Sequence, residues 1–389
     1  MVENNMVNTI VNNMNEIKQA LKANNYLVNM FVILFIFFLV VILVFYIKSE
    51  IDKKEKNCSY IKKQYSDGSS LTNVNYALDD YDNFFLNEYY ILSAYNCCCS
   101  GNNKNDYVDL CALDNCISQG ARFLDFQIYN KNGDPIVATS SDSSFKYKET
   151  YNYLVVSDVL KRISDTAFSS GNCPNYEDPL ILYFRIYSNE QTIYNKLGKA
   201  INKYLSDKLL PGVNYGNEAD GVNIFNKQLI NFKGKIIIVV HVDNEELFEK
   251  SSLKEYTNIT SGPSKPFIQQ MNSFSVNASQ NYNDLIQYNR MNSTIVVPDL
   301  NSSNINYDPA IAISTGCQFI SMNFQNKDNY LQYLLEKFNN VNSAFLLKPE
   351  NLRPIIQNIE PGVKIPEESS CKPQPRTVTI GNKEVTLEI

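Results

Sequence analysis

Histidine is nearly absent from this chain of 389 residues: His241 is the only one, and tryptophan does not occur. A single imidazole excludes every mechanism in which two histidines share the acid–base work. The chain also lacks a basic excess, since its net charge is −6 and its pI is about 5.1. We therefore exclude nucleic acid as a partner, because binding its phosphates needs a surplus of Lys and Arg.

Common catalytic motifs are missing as well. No G-x-S-x-G, Walker or H-E-x-x-H pattern is present in the sequence. His241 follows the apolar run Lys235 to Val240, which predicts a strand. It is either a lone general base or a polar residue that closes the strand, and we favour the second interpretation.

The nine cysteines are odd in number and lack a repeated spacing, which predicts reduced thiols. Cys97, Cys98 and Cys99 form a cluster that could hold a metal or act in redox chemistry. No histidine lies nearby, and Cys111 and Cys116 do not complete a zinc spacing. Buried thiols that pack as small hydrophobic side chains are the favoured interpretation.

One long apolar segment lies near the N-terminus. Met30 to Ile47 contains no charged residue, and residues 27–47 are long enough to span a bilayer. A helix in a soluble core would show a polar face, and a signal peptide would have a shorter apolar run. We predict a single-pass membrane anchor between a polar tail at 1–26 and a stalk at 48–86.

The orientation of this anchor is predicted from the flanking lysines. Those on the C-terminal side outnumber those on the N-terminal side: Lys48, Lys53, Lys54, Lys56, Lys62 and Lys63 against Lys18 and Lys22. The positive-inside rule then places the following domain on the cytosolic side. A virion membrane is an alternative location, and a sequence of this composition is typical of a viral or protist genome.

From about residue 87, apolar strands alternate with helical patterns. Strands are predicted at 90–94, 120–128, 135–138, 179–186, 235–240, 318–324 and 344–347. This alternation over some 260 residues predicts an α/β fold, a (β/α)₈ TIM-type barrel. Residues 251–267 are polar and predict a linker, and 351–389 form a Pro-rich tail that ends in a hairpin around Gly381-Asn382.

The clearest unit is a strand, a helix and a strand between Gly316 and Pro349. Asp328 provides an N-cap, and the apolar helix positions after it are Leu331, Leu334, Leu335 and Phe338. The apolar run Ala344 to Leu347 predicts a parallel strand covered on both faces. Together they predict a right-handed βαβ crossover.

Several short motifs in these regions resemble eukaryotic phosphoinositide-specific phospholipases C. They are Gly316-Cys317-Gln318, Met322-Asn323-Phe324-Gln325, Leu347-Lys348-Pro349, Asn306-Tyr307-Asp308-Pro309, Gly120-Ala121-Arg122 and Phe232-Lys233-Gly234-Lys235. The resemblance covers residues 87–350, with an X half at about 87–240 and a Y half at about 268–350. It implies a phospholipase-C-like phosphodiesterase barrel.

This resemblance implies two catalytic histidines and a calcium ion held by one Asn and three carboxylates. Tyr95 and Thr139 stand at the histidine positions, and neither can replace imidazole at neutral pH. At the calcium positions the chain keeps the amide of Asn96. The three carboxylate positions carry Asp125, Gln127 and Arg185, so we expect that calcium binding has been lost.

Other positions of the implied site are mixed. Ser273 and Tyr307 match residues that line the headgroup pocket, and His241 replaces a lysine that binds substrate phosphate. Retaining two pocket residues is as easily structural as functional. In the vacated metal site, Asp125 and Arg185 should form an internal ion pair in which the guanidinium takes the place of the cation.

Two functions remain open from the sequence. The favoured one is a membrane-anchored, catalytically inactive protein that serves binding or assembly, with a phosphoinositide or a protein as partner and no cofactor. The alternative is a diverged phosphodiesterase that cleaves phosphoinositides or glycerophospholipids through Asn96, Asp125 and Tyr95. Occupancy of the site by a divalent metal separates the two.

Overall fold

Ten of the eleven strands of the main sheet lie between residues 89 and 322 in this computed structural model, which describes residues 2–76, 84–142, 147–210, 223–263, 265–299, 303–355 and 375–388. In chain order they are β1 (Tyr89–Ala94), β2 (Phe123–Lys131), β3 (Asp134–Val137), β4 (Leu154–Val155), β5 (Leu180–Tyr187), β6 (Ile236–His241), β7 (Ile259–Ser261), β8 (Ile268–Asn272), β9 (Ser293–Val297) and β10 (Phe319–Met322). β3 and β4 extend β2 in antiparallel pairs.

The other eight strands run parallel in the order β7-β6-β5-β2-β1-β10-β9-β8. Among the described residues no hydrogen-bonded pair joins β7 to β8, so the barrel is nearly closed. The predicted (β/α)₈ TIM-type barrel is confirmed. Its interior is filled by aromatic rings: Phe123 packs against Phe319 at 4.5 Å and against Tyr183 at 5.6 Å between ring centroids.

Helices connect the strands, and the described ones are α1 (Val2–Gln64), α2 (Leu110–Ser118), α3 (Val156–Thr166), α4 (Gln191–Leu205), α5 (Glu245–Glu249), α6 (Ser273–Asn277), α7 (Tyr282–Met291), α8 (Ala310–Ser314) and α9 (Asn329–Asn339). α9 begins where the sequence predicts it, because the Asp328 side chain accepts a hydrogen bond from the Leu331 amide. The four apolar residues predicted to form its buried stripe are buried.

The last strand of the barrel region differs from the prediction. β11 (Phe345–Leu347) pairs antiparallel with β1, with Tyr89 opposite Leu347. The predicted parallel strand and right-handed crossover at Ala344–Leu347 are therefore wrong. β1 already has β2 and β10 as parallel neighbours, so the ring has no place for a further parallel strand. An apolar run indicates that both faces of a strand are buried, but it does not indicate the direction of the strand.

The predicted linker at 251–267 also differs. It contains β7, which pairs with β6 and is buried throughout. Three residues are too few to show a periodicity, and the neighbouring Asn and Ser residues conceal the strand in a polar stretch.

A continuous helix replaces most of the predicted N-terminal tail and stalk. α1 runs from Val2 to Gln64 and contains neither Gly nor Pro. Charged residues such as Lys and Glu are good helix formers, so a charged stretch after an apolar one can extend the same helix. The end of α1 packs on the barrel, where Ile61 and Tyr65 are buried. Residues 77–83 of the predicted stalk lie outside the described residues.

The apolar part of α1 is long enough to cross a membrane, and none of its apolar window is buried in the protein. Its large side chains are exposed, as Phe31, Phe35 and Phe38 illustrate. A helix of this kind in a soluble core would be covered by other elements. The exposure is what a bilayer-spanning helix requires.

A disulfide joins α1 to α2, because Cys58 and Cys111 are bonded. The prediction that the cysteines are reduced is wrong for this pair. The six cysteines described as free are all buried: Cys97, Cys98, Cys99, Cys116, Cys173 and Cys317. For the Cys97–Cys99 cluster, burial as small side chains agrees with the prediction.

The chain divides into a unit at Met1–Arg353 and a second unit at Pro354–Ile389. In the second unit, β12 (Pro375–Ile380) and β13 (Lys383–Glu388) form an antiparallel hairpin at the place where the sequence predicts one. Residues 356–374 of the Pro-rich tail lie outside the described residues.

Candidate functional site

An ion pair between Asp125 on β2 and Arg185 on β5 lies beside the carboxyl end of β1. Arg185 on β5 donates from Nε to Asp125 Oδ1 at 2.8 Å and from Nη2 to Asp125 Oδ2 at 2.6 Å. The same Nη2 donates to Asn96 Oδ1 at 2.9 Å. The predicted pair between Asp125 and Arg185 is present, and it has the two-pronged geometry that guanidinium and carboxylate groups favour.

Strand register explains why these side chains meet. Gln127 lies opposite Arg185, and Asp125 lies opposite Tyr183. Residues two apart share a face of a strand, so Asp125 and Arg185 both point into the barrel. Asn96 follows β1 with φ at +44°, in the left-handed region that Asn tolerates, and its amide donates to Asp125 Oδ2 at 3.0 Å.

Both charged groups are removed from water. Asp125 is 0% exposed and Arg185 is 2% exposed. Burial is the largest single influence and would lower the pKa of Arg185, but the Asp125 carboxylate together with Tyr95 and Tyr187 raises that pKa well above its usual value. The guanidinium therefore stays charged and provides the cation that a buried carboxylate requires.

Tyr95, at the first implied histidine position, packs on this ion pair. The guanidinium carbon of Arg185 lies 4.8 Å from the centroid of the Tyr95 ring, a cation–π contact. Burial raises the pKa of Tyr95 more than the neighbouring Arg185 lowers it. The phenol therefore remains protonated at neutral pH and cannot act as a base there.

The other implied positions are held in hydrogen bonds of their own. Thr139 donates to the Asn103 carbonyl oxygen at 2.9 Å, and Asn103 Oδ1 accepts from Asn96 Nδ2 at 3.0 Å. Gln127 Oε1 accepts from the Tyr129 hydroxyl and from the Ser140 amide, both at 2.9 Å.

These residues do not fit a calcium ion. Calcium takes six to eight oxygen ligands, most of them anionic or carbonyl oxygens. Here both Asp125 oxygens and the Asn96 side-chain oxygen accept hydrogen bonds from Arg185. An incoming divalent cation would have a single carboxylate ligand and a fixed positive charge beside it.

His241 belongs to a second polar cluster, on the side of the barrel formed by β5 to β8. Its Nδ1 lies 2.9 Å from Ser261 Oγ and 3.1 Å from the Tyr183 hydroxyl, and its Nε2 lies 3.3 Å from Asp243 Oδ1. Tyr183 donates to Gln270 Oε1 at 2.8 Å. The His241 side chain is 18% exposed and that of Asp243 is 45% exposed, so a ligand can reach both.

The two retained headgroup-pocket residues make structural contacts. Ser273 Oγ donates to Asp299 Oδ2 at 2.8 Å, and Asp299 Oδ1 also accepts from the Phe274 amide. Tyr307 is partly buried and donates to the Val296 carbonyl oxygen at 3.1 Å. Neither contact joins the ion pair at Arg185.

Tyr183, Ser261 and Gln270 are site residues that the sequence does not reveal. Tyr183 was detectable in principle, because it lies two residues before Arg185 on a predicted strand and so shares its inward face. Ser261 and Gln270 were not detectable, because the polar sequence around β7 predicts a linker and β8 consists mostly of polar residues.

Comparisons with known proteins agree with this architecture. Residues 235–351 match the family described as Phosphatidylinositol-specific phospholipase C, Y domain. A 1-phosphatidylinositol 4,5-bisphosphate phosphodiesterase of Drosophila melanogaster is 30% identical over 109 residues, 26% of this chain and 10% of the relative. A beta form from Caenorhabditis elegans is 39% identical over 74 residues, 18% of this chain and 5% of the relative.

Solved structures show the same fold. The crystal structure of PLC21 from L. pealei aligns with a TM-score of 0.58 and 22% identity, covering 70% of this chain and 38% of that chain. PLC21 from S. officinalis gives a TM-score of 0.56 with the same identity and coverage. The chain spans about a tenth or less of the curated relatives and about two fifths of these structures.

The fold and the comparisons define a structural class: the chain carries a nearly closed (β/α)₈ barrel of the kind seen in the PLC21 structures. More particularly, residues 235–351 are similar to the Y domain of phosphatidylinositol-specific phospholipase C.

Proposed function

We propose that this protein is a membrane-anchored, phospholipase-C-like protein that does not hydrolyse phosphodiesters and instead serves binding or assembly at a membrane. The observation that carries the proposal is the position of Arg185, whose guanidinium contacts both the Asn96 side-chain oxygen and the Asp125 carboxylate. In the family that the barrel resembles, these positions face a calcium ion.

The acid–base groups support the same proposal. Tyr95 is protonated and packs on Arg185, and the Thr139 hydroxyl donates to a backbone carbonyl. The single histidine lies in the separate cluster with Ser261 and Tyr183. Losing acid–base help costs about 10²–10⁴ in rate, and losing electrostatic stabilisation costs about 10²–10³ more.

Binding remains chemically reasonable at the same end of the barrel. His241 is partly exposed and can offer a hydrogen bond or, when protonated, a positive charge to an anionic headgroup. The anchor helix would keep such a site at the membrane without an accessory lipid-binding domain. A phosphoinositide and a membrane protein are the two partner classes that this location favours.

The test is a phosphoinositide cleavage assay on the purified full chain in mixed micelles, with calcium titrated in parallel by calorimetry. We expect no inositol phosphate above background and no calcium binding at the barrel. Arg185→Glu returns a carboxylate, yet it should not restore cleavage because Tyr95 and Thr139 still lack imidazole.

The decisive control compares two aspartates. If the wild-type chain released inositol phosphate in a calcium-dependent way, and Asp125→Ala abolished the release while the surface variant Asp114→Ala did not, the proposal would be overturned. That result would favour a diverged phosphodiesterase acting through Asn96, Asp125 and Tyr95.

A further inference from the structure

The disulfide between Cys58 and Cys111 joins two parts of the chain that are 53 residues apart. Non-covalent contacts align the same surfaces: Lys54 Nζ lies 2.9 Å from Asp109 Oδ2, and Asn57 Nδ2 donates to Asp106 Oδ1 at 2.7 Å. The disulfide therefore forms where polar contacts already hold α1 against the segment that leads into α2. Such structural disulfides persist in oxidising compartments and are rare where thiol reductants are abundant.

The remaining cysteines point to the same compartment. In the described part of the chain, every cysteine outside the disulfide is buried. Burial raises the pKa of the thiols of Cys97, Cys98, Cys99, Cys173 and Cys317, which suppresses the reactive thiolate. A protein that folds among oxidants needs its unpaired thiols shielded in this way, because exposed ones exchange with disulfides.

The lysine cluster after the apolar segment has a second explanation. Lys53 lies 3.5 Å from Asp106 and 3.7 Å from Glu50, and Lys54 pairs with Asp109. Lys53 and Lys54 hold the end of α1 on the barrel, so two of the six lysines on this side have a structural role. An orientation based on lysine count and one based on the disulfide disagree here, and the disulfide is the more specific observation.

We propose that the barrel faces an oxidising compartment, on the lumenal or extracellular side of the membrane, and that Asn277 carries an N-linked glycan there. N-linked glycans attach to the Asn of Asn-x-Ser/Thr at the protein surface. The chain has five such sites: Asn57, Asn258, Asn277, Asn292 and Asn301. The inference does not depend on whether the barrel hydrolyses lipids.

The structure distinguishes among these sites. Asn258 is 1% exposed and donates to the Leu210 carbonyl oxygen, and Asn57 is held by Asp106. Asn292 directly precedes Ser293, the buried first residue of β9. Asn301 lies outside the described residues. Asn277 is the exposed last residue of α6, so a glycan there would extend into solvent.

The experiment is translation of the full chain with sealed microsomes derived from endoplasmic reticulum. We expect a slower-migrating species that an endoglycosidase removes and that protease added outside leaves intact. Asn277→Gln and Ser279→Ala destroy the same site by different changes, and each should abolish the species. The matched control Asn292→Gln should leave it unchanged.

The disulfide gives an independent readout in the same samples. After denaturation, alkylation with a maleimide of polyethylene glycol should add two more groups when reductant is present than when it is absent. Cys58→Ser should remove that difference. Digestion of the barrel by external protease, equal alkylation with and without reductant, or a glycan that survives both site variants would overturn the proposal.

Discussion

At the scale of single residues, the guanidinium of Arg185 provides the positive charge beside a buried carboxylate. A carboxylate with no exposure, such as Asp125, is stable only beside a positive charge and hydrogen-bond donors. Arg185 and the Asn96 amide provide both. A fixed side chain also makes this charge independent of metal concentration.

Removing Arg185 should therefore destabilise the barrel strongly. We expect Arg185→Met to lower the free energy of unfolding by about 3–5 kcal/mol, because Asp125 is left as a buried, unpaired charge. The matched control is Arg162→Met, which breaks the largely exposed pair with Asp114 and should cost about 0–1 kcal/mol. Denaturant unfolding of the full chain in detergent measures both.

The double variant Asp125→Leu with Arg185→Met sharpens this test. Replacing both partners by apolar groups removes the unpaired charge, so most of the lost stability should return. A double variant as unstable as Arg185→Met alone would show that the destabilisation comes from packing and not from charge.

Lys348 provides a prediction about pH. Burial lowers the pKa of Lys348 to about 7, whereas a lysine in an unfolded chain has a pKa of about 10.4. Between these values the unfolded chain binds more protons, so this residue adds stability as pH rises, by up to about 1.4 kcal/mol per pH unit. Below about pH 7 that gain is absent.

Replacing Lys348 with Met should remove this pH dependence. We expect Lys348→Met to be more stable than the wild type near pH 7. This difference in the free energy of unfolding should shrink progressively toward about pH 10. Denaturant unfolding of both proteins across this range measures the difference, in which the titration of the other groups cancels. A constant difference would contradict a depressed pKa at Lys348.

The ion pair could be predicted because the family resemblance places Asn96, Asp125 and Arg185 around one calcium ion, so an acidic and a basic residue at these positions are expected to meet. The hydrogen bonds of Gln127 and Thr139 could not be predicted, because their partners Ser140 and Asn103 lie in loops. The conformation of a loop does not follow from a periodic pattern of apolar residues.

At the scale of elements, the strands and amphipathic helices follow the pattern of apolar residues, whereas direction and continuity do not. β11 is antiparallel because its neighbours leave no parallel position, which is a property of the whole sheet. α1 continues past the apolar segment because no residue stops it. The disulfide was unpredictable for a related reason: its cysteines meet only when α1 docks.

Loss of this disulfide should weaken the docking of α1. Closing a loop of 53 residues restricts the unfolded chain by about 4 kcal/mol in the loop-entropy description. We expect Cys58→Ser and Cys111→Ser to lower the free energy of unfolding by similar amounts, and the double variant by no more. Unfolding of the full chain in detergent with and without reductant measures this, and reductant should affect only the wild type.

At the scale of the whole molecule, α1 combines an apolar segment long enough to cross a membrane with a C-terminal part that packs on the barrel. Tyr65, just after it, stacks on Phe324 with ring centroids 6.5 Å apart and donates to the Phe324 carbonyl oxygen at 2.8 Å. Gln64 Oε1 accepts a hydrogen bond from the Lys327 backbone amide at 2.7 Å. The apolar segment and the barrel are therefore joined by one continuous helix and not by a flexible linker.

Carbonate extraction tests this division. The full chain should stay with the membrane, and a chain that begins at Glu50 should be soluble and folded because it keeps Ile61 and Tyr65. A chain that begins at Asp67 should be less stable for two reasons: it lacks Cys58 and so the disulfide, a loss of about 4 kcal/mol, and it leaves the surface under Ile61 and Tyr65 uncovered. Release of the full chain by carbonate would contradict the anchor.

The continuity of α1 also determines how the barrel senses its surroundings. Eleven residues separate Ile47 from Cys58, a rise of about 16 Å, and Gly and Pro, which permit sharp kinks, are absent from this stretch. A flexible tether would let the barrel rotate independently of its span. If the apolar segment spans a membrane, the tilt that a transmembrane helix adopts to match bilayer thickness would be passed along this continuous helix to the barrel. A thicker or thinner membrane would therefore change which face of the barrel its lipids and neighbours encounter.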